Sequence, residues 1–342
     1  LLAAVTYALS GYMLAHGMSF RTDPPAAMLM MLALWQMIRT PLRWPSAVLS
    51  GLAAALALLI TIKSALFLPA FGGAALYRFG KDRGWKVMGF FALAAAATLA
   101  CYALGWLLHS ASLPQAPQTP VQAASTLAAP AAASLQKTVA TPGIFPAWPF
   151  FTRWITMNPF ASVLILAGGA MALMQAARAR RVTNLVPLLL FAPVASLLFY
   201  RNAYPYFYPF ILAPAAVCVG LVSQRIQRPL HRYLVIATMG MGLLLQFAYY
   251  RQNDQVAQRA IAEQVHAIFP KPVRYIDRNG MIPSFRKEGL FLSSWGIEGA
   301  IRSGNPIFAP VIANLHPPLV IANSPYLDAA LDAGAPHVSP SL

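Results

Sequence analysis

Long apolar runs separated by short basic turns set the character of this chain. They fall at about 1–18, 25–38, 46–62, 65–77, 87–108, 155–177, 184–200, 206–223 and 233–250. Several approach the roughly 20 residues that a helix needs to cross a bilayer. The runs at 25–38 and 65–77 are short, and Pro24, Pro25 and Pro69 mark them as broken, tilted or re-entrant. Such segments are tolerated where protein or a cavity covers the freed backbone. After residue 250 the pattern changes. Val256, Ile261, Val265 and Ile268 recur at helical spacing between Gln255 and Phe269, and Pro270 ends the run. Short strands are predicted at 273–276, 290–292 and 319–321, with a helix around 307–314. The expected fold is an all-α polytopic membrane bundle of about nine membrane segments over 1–250, followed by a small C-terminal α/β soluble lobe over 251–342.

Composition agrees with that class. Hydrophobic residues make up 58% and charged residues 10%, against roughly 25% charged in ordinary soluble domains. The net charge of +16 would by itself point to nucleic acid or an anionic surface, but here the position of the charges matters more. If every run crosses, the connecting loops alternate sides. One set holds Arg39, Arg43, Arg78, Lys81, Arg83, Lys86, Arg178, Arg180, Arg181, Arg225, Arg228 and Arg232. The opposite set holds only Arg21, Lys63, Lys137, Arg153 and Arg201. The positive-inside bias assigns the first set to the cytoplasm and predicts that Asp23, Lys63, the 109–154 loop, Arg201 and the lobe face outward. Phe145, Trp148, Phe150, Phe151 and Trp154 are expected to form an interfacial aromatic belt where that loop returns to the membrane. Cys101 and Cys218 lie inside apolar runs and read as small buried hydrophobes.

Of nine acidic residues, only Asp23 and Asp82 lie in the first 250 positions. Asp82 sits among basic residues, whereas Asp23 stands between apolar runs. A carboxylate there is costly unless paired, hydrated or used. Three outward sites carry polar groups at rim depth: Arg21-Thr22-Asp23, Lys63, and the turn holding Arg201, Tyr204, Tyr206 and Tyr208. Two cations and a carboxylate on one face can receive an anionic head group such as a lipid-linked phosphate. The carboxylate can orient a hydroxyl, hold a divalent metal or keep Arg21 in place; no cofactor is otherwise indicated. The plainer readings are that Lys63 and Arg201 snorkel, that Asp23 caps the helix beginning at Pro24, and that the tyrosines are interface aromatics. In the lobe, Tyr275, Asp277, Arg278, Ser284, Phe285, Arg286, Lys287, Trp295 and Glu298 read as packing and surface residues of a small domain, with the alternative that Asp277 to Gly280 and Trp295 border an acceptor entrance. Asp277 to Gly280 reads as a turn after a strand.

The stretch His16 to Pro24, with Arg21-Thr22-Asp23, resembles the "R-T-D" segment of bacterial GT-C glycosyltransferases (glycosyltransferase family 39), the group containing protein O-mannosyltransferases and the lipid A aminoarabinose transferase. Thr61-Ile62-Lys63-Ser64-Ala65 before Leu66-Phe67-Leu68-Pro69 is similar to that family's "T-K-G-P…L-L-P" helix pair, with Ser64-Ala65 where Gly-Pro is usual. Arg201 to Pro214 is similar to its "Y-x-L-P-x-x-P" external turn, through Tyr206, Pro209 and Pro214. The resemblance implies an inverting enzyme of the bacterial inner membrane that moves a sugar from a polyprenyl-phosphate donor to a lipid, glycan or protein acceptor. It implies Asp23 and Arg21 at the reaction centre, and Lys63, Arg201, Tyr204 and Tyr206 in substrate binding. The family's principal acid lies in an external loop that precedes the matched region, so the expectation is that such a loop lies upstream of Leu1. Membrane lipids are expected partners and nucleic acid is not. The rival readings are a non-enzymatic polyprenyl-lipid translocase and a membrane binding or scaffold protein. A transporter is expected to carry polar groups along a path through the membrane, and here they cluster at one face.

Overall fold

The computed structural model describes residues 1–17, 21–39, 43–82, 85–112, 144–178, 182–200, 202–250, 255–277, 280–288, 308–322 and 327. The chain divides into two compact units, Leu1–Arg251 and Gln252–Leu342. Within the first unit the described elements are helical. Among the described residues, four helical stretches, Val87–Ser112, Pro159–Ala177, Pro205–Arg225 and Pro229–Tyr250, are long and apolar enough to cross a membrane. Large apolar side chains such as Leu93, Leu104, Leu108, Leu234 and Leu244 point away from the packed interior, as a lipid-facing surface requires. The chain is a membrane-associated helical protein.

The remaining apolar runs are shorter or interrupted, and each interruption has a local cause. The first run divides into α1 (Leu2–Leu9) and α2 (Met13–His16) rather than forming one span. Tyr12 between them adopts a left-handed conformation, φ 71°. Gly11 lies so close to the chain at Trp154 that a Cβ there would meet its carbonyl oxygen at 2.6 Å. By contrast, the run at 25–38 is unbroken: α3 (Asp23–Ile38) carries Pro24 and Pro25 in its first turn, where their missing N–H groups cost nothing. The next helices are α4 (Trp44–Ile60), α5 (Leu68–Asp82) and α6 (Trp85–Ser112), with a 3₁₀ turn at Ile62–Phe67 before α5. Pro69 likewise opens α5 instead of breaking it. Arg78 belongs to α5 and not to a loop: its buried guanidinium donates to the carbonyls of Met37 and Arg39 at the end of α3. The expected loop 109–154 is helical at both described ends, because α6 runs to Ser112 and α7 spans Trp148–Met157.

Asn158 and Pro159 then start α8 (Pro159–Ala177), so the run at 155–177 is two helices. The run at 184–200 is α9 (Val186–Phe191) between two 3₁₀ turns, Val182–Leu185 and Ala192–Leu198; Pro187 and Pro193 each open a new turn. A 3₁₀ turn at Pro205–Phe207 leads into α10 (Tyr208–Val217), α11 (Val219–Arg225) follows, and α12 (Pro229–Tyr250) closes the unit. Residues Tyr208 to Ala216 of α10 are all buried, which makes α10 the centre of the bundle. Trp154 is fully buried and stacks on Tyr208 at 5.9 Å, so it belongs to the core and not to an interfacial belt. Cys218 is buried, with its thiol on the Pro187 carbonyl at 3.1 Å, but Cys101 is exposed on α6.

The second unit has α13 (Gln255–Ile268), β1 (Arg274–Ile276), β2 (Arg286–Lys287), α14 (Phe308–Leu315) and β3 (Leu319–Val320). The strands form a parallel sheet of order β2-β1-β3, with Val265, Tyr275, Ile282, Phe285 and Leu319 packed as its core. The predicted strand at 290–292 lies outside the described residues. β2 was missed because Arg286-Lys287 is polar and shows no apolar run.

Where α1 stops, its Leu9 carbonyl has no helical donor and receives two from other helices. Asn158 Nδ2 donates to it at 2.7 Å and Gln246 Nε2 at 2.8 Å. Asn158 also donates to the Met239 carbonyl at 3.2 Å, and its Oδ1 accepts from Ala161 N at 3.2 Å, capping α8. This clasp needs α12 very near: a Cβ on Gly242 would meet Asn158 Oδ1 at 2.0 Å, whereas one on Gly240 would touch nothing. Gly242→Ala is therefore expected to lower the thermal midpoint of the detergent-solubilised protein, by about 1–3 kcal/mol of overpacking. Gly240→Ala on the same helix should leave it unchanged.

Candidate functional site

Three turns meet at the ends of α3, α4 and α10. In the first, Asp23 begins α3 after Thr22, with no side-chain cap bond, which corrects the N-cap reading. The reason is local: Pro24 and Pro25 have no N–H to offer, and Ala26 N is satisfied by the Thr22 carbonyl at 3.2 Å. Asp23 has nothing to cap, and its carboxylate turns elsewhere.

In the second, α4 ends at Ile60 and Thr61 is extended, φ −155° and ψ 133°. Its hydroxyl accepts from Lys63 N, and Ser64 Oγ donates to the Ala57 carbonyl at 2.8 Å. These bonds fold the chain into the 3₁₀ turn and aim Lys63 back at α3. Lys63 Nζ donates to Asp23 Oδ1 at 2.8 Å and Oδ2 at 3.1 Å. The carboxylate side chain is 3% exposed and the lysine 18%. Lys63 is thus an ion-pair partner and not a free snorkelling cation.

In the third, Pro205 starts the turn that presents Tyr206. Its ring receives the Arg21 guanidinium, Cζ 4.2 Å from the centroid, and Lys63 Nζ at 4.8 Å. Two cations against one electron-rich ring repel each other, and the Asp23 carboxylate on Lys63 offsets that repulsion. Arg21 is therefore held by Tyr206; among the described residues Asp23 pairs with Lys63. Phe207 is fully buried beneath, with Lys63 Nζ 5.8 Å from its ring. Tyr204 forms a second layer, its ring 6.0 Å from Tyr206 and 5.4 Å from Phe150.

Of the residues singled out by sequence, Arg21, Asp23, Lys63 and Tyr206 come together, Tyr204 supports them, and Arg201 lies outside the described residues. Phe150 and Phe207 were not anticipated as part of this wall; nothing but their aromatic character marked them. The residues do not fit a divalent metal. Both Asp23 oxygens are engaged by Lys63, and among the described residues no group of three His, Cys, Asp or Glu side chains could hold an ion.

The lobe candidates divide differently. Tyr275 and Phe285 are core, and burial raises the Tyr275 phenol above its ordinary pKa. Asp277 accepts from Gly280 N at 2.7 Å and Met281 N at 2.6 Å, fastening the turn after β1, where Gly280 has φ +73°. Ser284 Oγ lies 2.9 Å from His266 Nε2. Arg278, Trp295 and Glu298 lie outside the described residues.

No protein-family model matches the chain, and neither a curated protein nor a solved structure matches it.

The ion pair sets up an asymmetric prediction. Lys63→Met strands a buried carboxylate and should destabilise the protein by about 3–5 kcal/mol. The double variant Asp23→Leu/Lys63→Met removes both charges and should recover most of that loss. Thermal unfolding of the wild type, Asp23→Leu, Lys63→Met and the double variant in one detergent measures the cycle, and equal losses in Lys63→Met and the double variant would contradict it.

Proposed function

We propose that this protein is a membrane glycosyltransferase of the GT-C type, moving a sugar from a polyprenyl-phosphate carrier to a lipid, glycan or protein hydroxyl. The observation that carries this reading is the convergence of Arg21 and Lys63 on the Tyr206 ring, with Asp23 paired to Lys63, which brings three separate turns together. The loop charge bias supports nine membrane segments with these residues and the C-terminal lobe on the periplasmic side of a bacterial inner membrane.

In this reading the guanidinium of Arg21 and the ammonium of Lys63 receive the carrier phosphate. The acceptor hydroxyl oxygen attacks the anomeric carbon, the bond from that carbon to the phosphate oxygen breaks, and the phosphate leaves with the electron pair. Cations beside the leaving oxygen stabilise the charge that develops there. The hydroxyl proton goes to a carboxylate, which the resemblance puts in the upstream external loop. Asp23 acts as a positioning residue: it fixes Lys63 and offsets one of the two cations until substrate arrives.

The second reading, a non-enzymatic polyprenyl-lipid translocase or a scaffold, draws on the fact that the Asp23–Lys63 pair is satisfied without any ligand. Proteoliposomes given a radiolabelled polyprenyl-phosphate sugar separate the two, because only the enzyme releases unglycosylated carrier phosphate. Arg21→Gln is expected to cut transfer on the order of 10²-fold, the usual effect of removing one donor to a developing anion. The swapped pair Asp23→Lys/Lys63→Asp should regain stability relative to Lys63→Met yet stay inactive. Carrier release at the wild-type rate by both variants would exclude the assigned site.

A further inference from the structure

A second polar site lies on different residues of the same unit. A cavity of about 270 Å³ is lined by Arg178, Arg225, Gln175, Gln224 and Asn184 together with Met171, Met174 and Leu221. None of its lining residues belongs to the Asp23–Lys63 group. It forms where α8 packs on α11 and on the 3₁₀ turn Val182–Leu185. Arg178 caps α8, its backbone N–H on the Met174 carbonyl at 3.2 Å, and Arg225 is the last residue of α11.

Each helix end carries about half a negative charge, which a guanidinium complements. Two full positive charges exceed two half charges, so the mouth of the cavity stays cationic. The unit has few carboxylates to neutralise it: Asp23 is taken by Lys63, and Asp82 is the only other one before residue 250. Among the described residues neither Arg178 nor Arg225 has an ion-pair partner. Three side-chain amides add hydrogen-bond donors beside the two planar forks, the geometry that suits a tetrahedral oxyanion. Met171, Met174 and Leu221 add an apolar surface, which a free inorganic ion does not use and an acyl chain does.

We propose that this cavity binds a phosphate group, carried by an anionic membrane lipid whose chains run over Met171, Met174 and Leu221. On the topology proposed above the lipid belongs to the cytoplasmic leaflet, and the site serves to anchor the α8–α11 end of the bundle. The proposal stands apart from the glycosyltransferase reading.

The test uses the whole chain in nanodiscs of phosphatidylcholine, of phosphatidylcholine with phosphatidylglycerol, and of phosphatidylcholine with inorganic phosphate in the buffer. Phosphatidylglycerol is expected to raise the Tm, and inorganic phosphate to leave it unchanged. Arg178→Gln and Arg225→Gln should each weaken phosphatidylglycerol retention in native mass spectra about fivefold, the effect of one basic residue at an anionic surface. Both should keep the wild-type Tm in phosphatidylcholine alone, which separates lost binding from misfolding. Arg228→Gln, a basic residue that does not line the cavity, is the control and should retain the lipid. Equal weakening in Arg228→Gln would overturn the site in favour of general charge attraction. A Tm rise with inorganic phosphate as large as with the lipid would overturn its assignment to a lipid.

Discussion

A carbonyl that leaves its helix inside an apolar bundle must find its donor within the protein, because hydrocarbon offers none. This constraint shapes more of the bundle than any single apolar contact. The break after Leu9 is tenable because Asn158 and Gln246 both donate to that one oxygen. The end of α3 is tenable because Arg78 reaches across from α5. Ser50 donates to the Ala33 carbonyl at 2.8 Å between α4 and α3, and Ser64 closes the end of α4. Small residues make these reaches possible. The buried residues of α4 are Ala47, Ser50, Gly51, Ala53, Ala54, Ala55 and Ala57, so neighbouring backbones come close enough for short side chains to bridge them.

The same economy governs the charged cluster. Asp23 and Lys63 are affordable together and costly apart, since each offsets the desolvation of the other. Their pairing depends on two prolines that deprive α3 of cap donors and on a threonine–serine turn that redirects the chain after α4. Tyr206 then collects Lys63 and Arg21 on one ring. The result is a group of charges already oriented before any ligand arrives, which lowers the cost of ordering them on binding.

Much of this was legible from residue pattern. The lone carboxylate at Asp23 and the lysine at Lys63 stood out because nothing hydrophilic around them accounted for their presence. Loop alternation put them on one side. What could not be read was which cation Asp23 would take, because Arg21 is two residues away and Lys63 forty. Chain proximity favours the first, but helix geometry decides for the second. The helix interruptions were illegible for a related reason. A break at Ser10–Tyr12 is permitted by amides near residues 158 and 246, and periodicity within one run carries no trace of them. Prolines misled in the opposite sense at 24, 25 and 69, where position in the first turn matters more than presence. In the lobe, α13 and the strand at 274–276 followed apolar spacing, whereas β2 is polar and joins β1 through the parallel ladder and the Lys287–Asp277 ion pair at 3.5 Å.

The clasp on Leu9 also imposes an order on biogenesis. Its two donors lie 149 and 237 residues downstream. At the usual pace of about 5–20 residues per second, Gln246 emerges roughly 10–50 s after Leu9. The oxygen gains its first side-chain donor with Asn158 and its second only with Gln246. The break after α1 is therefore closed by side chains from far later in the chain, and this end of the bundle is complete only once α12 is in place.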